Sequence, residues 1–404
     1  MPILRILHVS SLYPPEVTGG AEKVVEMLAE AQVSRGHDVG AAYLTREARP
    51  AGTRHGVTTL PQASRNLLWI DEVFRQPRAM RTANKLGQLV NYRAAGDFGR
   101  AMAAFRPDVV HTHSMVELPP MIWQQIAASG ARAVHTLHDY DLVCSRASLF
   151  RHGHNCVELH ASCRVTAQWK GRFARRIDAV AAVSAPVLDE HRRYGLFRDL
   201  DDTHARVIWN AVASAGDTPA APEPRSGDFV FGFLGRLVPE KGIETLIAAC
   251  RLLPPTGWRL KVAGRAQEGD QAYRALAQGL PIDFLGFTDS PAFLRSVDVL
   301  VVPSIWREPF GLTVVEAFAQ GVPVIGSRLG AIGDLVGTIG DDWLVPAADP
   351  AALAARMAQA MADGRAALPR GAAFRPVLQA VSIDRMLDGY DALYATALAV
   401  ERAA

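Results

Sequence analysis

The chain opens with a nearly unbroken apolar run, Ile3 to Val9, followed by a Pro- and Gly-rich stretch from Ser10 to Gly20. Apolar positions then recur at helical spacing from Ala21 to Arg35, Gly36 stops the pattern, and Val39 to Leu44 reads as a second strand. The same order returns mid-chain: a strand at Phe229 to Leu234, a loop at Gly235 to Gly242, a helix at Ile243 to Leu253 and a strand at Trp258 to Ala263. Two such units predict two α/β domains on parallel sheets, because each parallel pair needs a crossover that covers the sheet. Further strands are expected at Ile282 to Leu285, Val297 to Val302 and Val322 to Ile325, with helical stretches at Pro291 to Arg295 and Leu312 to Gln320. From Pro350 the chain is Ala-rich and helical, ending in an amphipathic segment from Ile383 to Val400.

Residues 213–227 carry three prolines and no periodicity, the pattern of a linker. The expected organisation is a first domain at 1–212, a linker at 213–227 and a second domain at 228–382. The final helix, about 383–400, is left open between the two domains, packing back on the first being one of its options.

Composition narrows the function classes. With 43 Lys+Arg against 41 Asp+Glu over 404 residues, the formal charge of +2 excludes a nucleic-acid binder acting through bulk positive charge. Any bound anion must be held by a local site. Four cysteines make no disulfide scaffold, so a reducing, cytoplasmic setting is expected. Arg5 interrupts the first apolar run too early for a signal-peptide core, and no stretch reaches 18 uninterrupted apolar residues. One segment departs from neutrality: residues 65–100 hold seven Lys+Arg against three acids. That pattern suits a solvated helical surface or peripheral contact with an anionic membrane at its inner face.

Two stretches carry candidate chemistry. Gly235-Arg236-Leu237-Val238-Pro239-Glu240-Lys241-Gly242 follows a strand and opens a helix, where cations oppose the macrodipole unless an anion sits between them and the helix amides. A phosphate or diphosphate is the natural candidate, met by Arg236 as a fork and Lys241 as a point charge. In Arg307-Glu308-Pro309-Phe310-Gly311-Leu312-Thr313-Val314-Val315-Glu316, Pro309 keeps Glu308 extended, so the helix starts near Gly311 and its first amides become candidate hydrogen-bond donors. Glu316 lies further into that helix.

Glu308 to Glu316, with Pro-Phe-Gly directly after the first glutamate, resembles the paired-glutamate signature of the family 4 glycosyltransferases. These are retaining enzymes with two Rossmann-like lobes facing across a cleft, the GT-B fold. Gly19-Gly20-Ala21-Glu22, Gly235 to Gly242, Val262-Ala263-Gly264, Leu285-Gly286-Phe287 and Pro303-Ser304 fall in the family's order.

The resemblance implies that Arg236 and Lys241 hold the diphosphate of a nucleotide-sugar donor, of UDP or GDP type, and that Glu316 binds its ribose. Glu308 and the backbone at Phe310 and Gly311 would hold the sugar, Phe287 and Thr288 would lie where the base is expected, and Gly264 and Leu312 would belong to the donor-binding set. Gly19 and Gly20 would let the first loop approach the donor closely, and His138, in Thr136-Leu137-His138-Asp139-Tyr140, matches a histidine that reaches the transferred sugar. Ser184 and Asn210 match recurrent positions beside the cleft. The acceptor would be a glycan or lipid-linked saccharide. No metal or other cofactor is expected, and no Asp-x-Asp motif stands on a strand end of the donor half.

Two histidine groups stay open. His111 and His113, at the end of an apolar strand, suit either a His-x-His metal pair or polar residues at the strand edge, with His113 a candidate for the acceptor site; His135 is read as structural. Cys144, Cys156 and Cys163, interleaved with His152, His154 and His160, suit free thiols in an acceptor-side loop or a mixed Cys/His structural metal site, though without a Cys-x-x-Cys pair. Rival functions are a sugar-nucleotide epimerase or hydrolase of the same fold and a non-catalytic nucleotide-sugar-binding protein. A nicotinamide dehydrogenase is disfavoured, because neither first loop spells Gly-x-Gly-x-x-Gly.

Overall fold

The computed structural model describes residues 2–17, 19–212, 226–266 and 269–400. The linker expected at 213–227 falls outside them except for its last two residues. Contacts divide the chain into two units, one holding 1–149, 158–210 and the chain from Ile383, the other 150–157 and 211–382. The terminal helix Ile383–Ala399 thus belongs with the first unit, whereas the short segment Phe150–Val157 is counted with the second.

In the first unit the strands are β1 (Arg5–Ser10), β2 (Asp38–Thr45), β3 (Gly52–Arg54), β4 (Val57–Ala63), β5 (Val109–Thr112) and β6 (Arg132–Leu137). A two-stranded hairpin, β7 (Phe150–Arg151) and β8 (His154–Asn155), lies in the stretch counted with the second unit. The first unit resumes with β9 (Ala179–Ala182) and β10 (Ala205–Val207). Its sheet runs β10-β9-β6-β5-β1-β2-β4-β3, parallel except at the β3–β4 edge. That edge differs from the all-parallel expectation because His55 (φ 48°) and Gly56 (φ 81°) form the tight two-residue turn that joins antiparallel strands.

Ile6, Leu7 and Val9 are fully buried, as a central parallel strand covered on both faces requires. Burying each such side chain is worth roughly 1.5–3 kcal/mol. Helix Gly20–Ser34 buries Val24, Val25, Leu28, Ala29 and Gln32. The terminal helix buries a stripe at Met386, Leu387, Tyr390, Leu393, Tyr394 and Ala397 against β6, β9 and helix Gly20–Ser34.

The second unit's sheet uses β11 (Phe229–Leu234), β12 (Trp258–Ala263), β13 (Ile282–Gly286), β14 (Val299–Val302), β15 (Val324–Ser327) and β16 (Leu344–Val345), in the order β13-β12-β11-β14-β15-β16, all parallel. In both sheets the strand order reverses beside the first strand of the unit, between β1 and β5 in one and between β11 and β14 in the other. Open α/β sheets bind ligands at the carboxyl ends of the strands at such a switch point.

Candidate functional site

The second unit builds its switch point by packing backbone on backbone. A Cβ added at Gly242 (φ 73°) would lie 1.9 Å from the Pro303 carbonyl oxygen, so only glycine lets the turn Pro239–Lys241 rest on the loop after β14. A Cβ at Gly264 would lie 1.7 Å from the Gly235 carbonyl oxygen, which draws the loops after β11 and β12 together. Lys241 is thereby delivered to Glu308: its ammonium pairs with Glu308 Oε1, and Ser304 Oγ donates to Glu308 Oε2 at 2.8 Å. Lys241 Nζ also stands 5.9 Å from the Trp306 ring centroid.

Glu308 is buried, and its backbone carbonyl accepts from Ala331 N at 3.1 Å. Lys241 therefore shares its charge with Glu308, whereas Arg236 is exposed and has no ion-pair partner among the described residues. Phe310 is buried behind Gly311, whose φ of 102° turns the chain into helix Leu312–Ala319. By helix geometry the amides of Leu312 and Thr313 have no intrahelical acceptor.

Glu316, half-buried on that helix, accepts from Ser290 Oγ at 2.9 Å, which ties it to helix Ser290–Leu294 just past the loop following β13. On the same loop Phe287 is 75% exposed, with the Arg265 guanidinium 5.2 Å from its ring centroid. Thr288 Oγ1 and Trp306 Nε1 are buried polar atoms without a hydrogen-bond partner among the described residues. The structure thus gathers Arg236, Lys241, Gly264, Phe287, Thr288, Glu308, Phe310, Gly311, Leu312 and Glu316 on the loops and helix start at the carboxyl edge of one sheet.

The first unit answers with histidines. His8 on β1 is in register with His111 on β5, and their ring centroids are 5.3 Å apart. Two residues beyond, on the same face, His113 Nε2 lies 2.9 Å from His8 Nδ1 and His113 Nδ1 lies 3.0 Å from His138 Nε2. His8 Nε2 meets Gln32 Oε1 at 2.7 Å, and Gln32 Nε2 donates to Tyr394 Oη at 3.0 Å. His111 lies 2.7 Å from both Tyr394 Oη and Thr136 Oγ1, and Thr136 Oγ1 is 3.0 Å from Tyr390 Oη.

Burial disfavours the charged ring throughout. It lowers His8 and His138 to about 4, and it lowers His111 and His113 well below their ordinary range. His138 alone among the four is half-buried rather than buried. This arrangement corrects the acceptor role expected for His113, which is buried with both ring nitrogens engaged and stands behind His138. His8, His111 and His113 lie close enough to share an ion, yet all six of their ring nitrogens are committed to hydrogen bonds.

His135 lies on the other face, bonded to Thr112 Oγ1 at 2.8 Å and set edge-on to Trp123. Beside His138, Asp139 accepts from Ser114 Oγ at 3.2 Å, and burial, reinforced by Asp141, pushes its carboxyl up to about 7. Asp141 pairs with the buried Lys170 at 2.6 Å.

Gly19 is extended, its amide donating to Glu22 Oε2 at 2.9 Å, and an added Cβ there would meet only that oxygen, at 3.5 Å. Gly20 starts the helix. Cys144 and Cys163 are buried, Cys163 Sγ lying 3.4 Å from Ser145 Oγ, whereas Cys156 belongs to the hairpin segment counted with the second unit. No cysteine joins a group of three or more metal-capable residues among those described. Sequence reasoning did not single out Gln32, His8, Tyr390 or Tyr394; the signal available was a lone glutamine on the apolar stripe of a helix.

The fold of both units agrees with the comparisons. Residues 18–215 match the family described as Glycosyltransferase Family 4, and residues 228–363 match Glycosyl transferases group 1. A glycogen synthase of Mycobacterium tuberculosis is 30% identical over 92% of this chain and 89% of its own. An uncharacterized protein of the Klebsiella pneumoniae cps region is 28% identical over 82% of this chain and 87% of its own. Among solved structures, sucrose-phosphate synthase from Thermosynechococcus elongatus superposes with a TM-score of 0.75 at 21% identity, covering 96% of this chain and 98% of that one. Anabaena Alr3699/HepE, in complex with UDP, gives 0.70 at 18% identity over 96% and 98%.

The fold is the two-domain Rossmann-like GT-B arrangement. The chain belongs to the family 4 glycosyltransferases and is a glycosyltransferase enzyme. No helix among the described residues is long and apolar enough to cross a membrane.

Proposed function

We propose that the enzyme transfers a sugar from a nucleotide-diphosphate donor, of UDP or GDP type, to a glycan or lipid-linked acceptor, with retention of configuration and without a metal ion. The observation that carries this reading is the Lys241–Glu308 pair at the β11/β14 switch point, flanked by Arg236, which has no ion-pair partner among the described residues, and by the start of helix Leu312–Ala319. In this reading Arg236, Lys241 and the helix amides meet the diphosphate and take up the charge that grows on the leaving group. Glu316 accepts from the ribose hydroxyls, while Thr288 and Phe287 meet the base. Glu308 orients the sugar, His138 meets a hydroxyl of that sugar, and Gly19 and Gly20 allow the first loop a close approach. Support comes from relatives named for glycogen synthesis and for lipopolysaccharide mannosyl transfer, and from the UDP held by a protein of the same fold.

The test is a panel of UDP-, GDP- and ADP-sugars read first by thermal shift, since a ligand of the folded state raises the melting temperature. The stabilising sugar nucleotide is then incubated with saccharide acceptors. Expected are stabilisation by one nucleotide class, acceptor-dependent transfer that survives EDTA, and a product with the anomeric configuration of the sugar nucleotide. Isomerised or hydrolysed sugar nucleotide without transfer would establish the epimerase or hydrolase reading. Binding without chemistry would establish the non-catalytic one, and activity lost to EDTA and restored by a divalent cation would overturn metal independence.

We place the enzyme in the cytoplasm with peripheral contact through residues 65–100, where Arg75, Arg78 and Arg93 are exposed together with Leu86, Val90 and Tyr92. Flotation with anionic but not neutral vesicles is the expected result.

A further inference from the structure

A neutral imidazole carries one N–H and one bare nitrogen, so a file of imidazoles joined nitrogen to nitrogen has a direction. In the first unit that direction starts at an amide. Gln32 Oε1 only accepts, so His8 Nε2 carries the proton and His8 Nδ1 is bare. His113 Nε2 must then donate to His8, which leaves His113 Nδ1 bare, and His138 Nε2 must donate to His113. The file ends on His138 Nδ1, which is bare and has no partner among the described residues.

The other end of the amide runs the same way. Gln32 Nε2 donates to Tyr394 Oη, so Tyr394 donates to His111 Nδ1 and His111 Nε2 donates to Thr136 Oγ1. The two arms share one variable, because turning the amide over would exchange donor for acceptor at every step of both. A second proton on His8 would reverse the donors at both later steps of the file, and burial, which disfavours the charged ring, holds the buried rings neutral. Burial of every member but His138 keeps water from supplying substitute partners.

We propose that Gln32 is a positioning residue that sets the tautomer of His138 through His8 and His113, so that His138 offers a bare Nδ1 to a hydroxyl-bearing ligand and disfavours an anionic oxygen. The proposal rests on the reading that His138 meets the transferred sugar, and it deepens that reading. An uncharged acceptor nitrogen takes a hydrogen bond from a sugar hydroxyl and repels phosphate or carboxylate oxygens. The amide acts as the outer partner of a histidine does in a metal site, fixing which ring nitrogen is available.

The experiment is histidine-selective 15N labelling of the full chain, with long-range proton–nitrogen correlation and the His138 signals assigned by loss in His138→Gln. Wild type is expected to show His138 with a protonated Nε2 and a pyridine-type Nδ1. Gln32→Glu, whose carboxylate accepts from both His8 and Tyr394, should keep that pattern, whereas Gln32→Leu should give mixed or reversed tautomers at His138. Should Gln32→Leu fail to fold, Tyr394→Phe releases the far side of the amide and should also give mixed tautomers.

With the donor identified, Gln32→Leu should lower kcat by about 10- to 100-fold with KM within about two-fold, and Gln32→Glu should restore most of the loss. A protonated Nδ1 in wild type, or an unchanged His138 pattern in folded Gln32→Leu, overturns the proposal. The tautomer measurement uses no turnover, so it stands apart from the sugar-contact reading, which fails separately if His138→Ala keeps full activity.

Discussion

The two sheets place the same feature, a reversal of strand order beside the first strand, at the base of their candidate sites, and they furnish it with opposite chemistry. At the β1/β5 junction stand neutral rings, buried and locked to one another by hydrogen bonds. At the β11/β14 junction stands an ion pair brought together by loops that close on glycine. Neutral rings need burial and a defined tautomer; charged groups need a counter-charge and partial access to solvent. The difference suits a first unit that reads uncharged hydroxyls and a second that meets phosphate.

The largest effect expected from this division is kinetic. His138→Ala should lower turnover on the order of 100-fold while leaving nucleotide affinity within about two-fold, because a contact used in the reacting complex appears in the rate rather than in ground-state binding. Calorimetry with the nucleotide, run beside the assay, checks both halves. Equal loss in each would merge the two roles.

Acid should separate the units next. Burial lowers His8, His138 and His191 to about 4 and His135 to about 3, from an ordinary 6.5. Between those limits the unfolded chain binds protons that the folded histidines refuse, so their contribution to stability is full above pH 6.5 and falls as pH drops through 6 toward 4; the Asp139 carboxyl, raised to about 7, acts with the opposite sign and offsets only part of the histidines' combined effect. Each group contributes up to about 1.4 kcal/mol per pH unit. The second unit holds two histidines, His152 and His154, both exposed on the hairpin. Pulsed hydrogen exchange after incubation at pH 7, 6 and 5 should find β1, β5 and β6 losing protection before β11 and β14. Simultaneous loss would erase the contrast.

How much of this was legible in the sequence follows from how local each feature is. The second-unit site is spelled in two short runs, Gly235 to Gly242 and Arg307 to Glu316, because a strand, its loop and the next helix start are contiguous; a reader of residues meets Lys241 and Glu308 in motifs already complete. Their pairing with each other, 67 positions apart, was not visible. In the first unit, strands and helices followed from apolar spacing, but the histidine file depends on Gln32 meeting Tyr394, 362 positions along the chain. A glutamine within an apolar stripe and a tyrosine in a terminal amphipathic helix look like ordinary packing until β1 and β5 come into register. The hairpin at Phe150–Asn155 was equally hidden, since its Asn155 side chain reaches Ile305 and Arg307, far along the chain.

A smaller effect tests the ion pair. Lys241→Ala leaves the buried Glu308 carboxylate with Ser304 but without its cation, and should cost roughly 1–3 kcal/mol of stability, less than a fully buried pair because Lys241 retains some solvent access. Adding Glu308→Gln should recover most of that loss. Nucleoside diphosphate binding should fall further than nucleoside binding in Lys241→Ala. Equal falls would make the lysine structural alone.

The finest distinction concerns Glu316. Its carboxylate is set on helix Leu312–Ala319 and oriented by Ser290, and a carboxylate has room for more than one hydrogen-bond donor. If ribose hydroxyls are among those it accepts from, Glu316→Gln should keep the fold and raise the dissociation constant about 10-fold, the loss of one charge-assisted hydrogen bond. Ser290→Ala, which removes one donor to the carboxylate, should cost only about two- to three-fold. The deciding measurement pairs each protein with a ribonucleotide and its 2′- and 3′-deoxy forms. Wild type should prefer the ribonucleotide over at least one of them, and Glu316→Gln should bind all three alike, because a hydroxyl without its acceptor carries no preference. A mutant that still discriminates would move ribose recognition to another residue and leave Glu316 as the partner of Ser290.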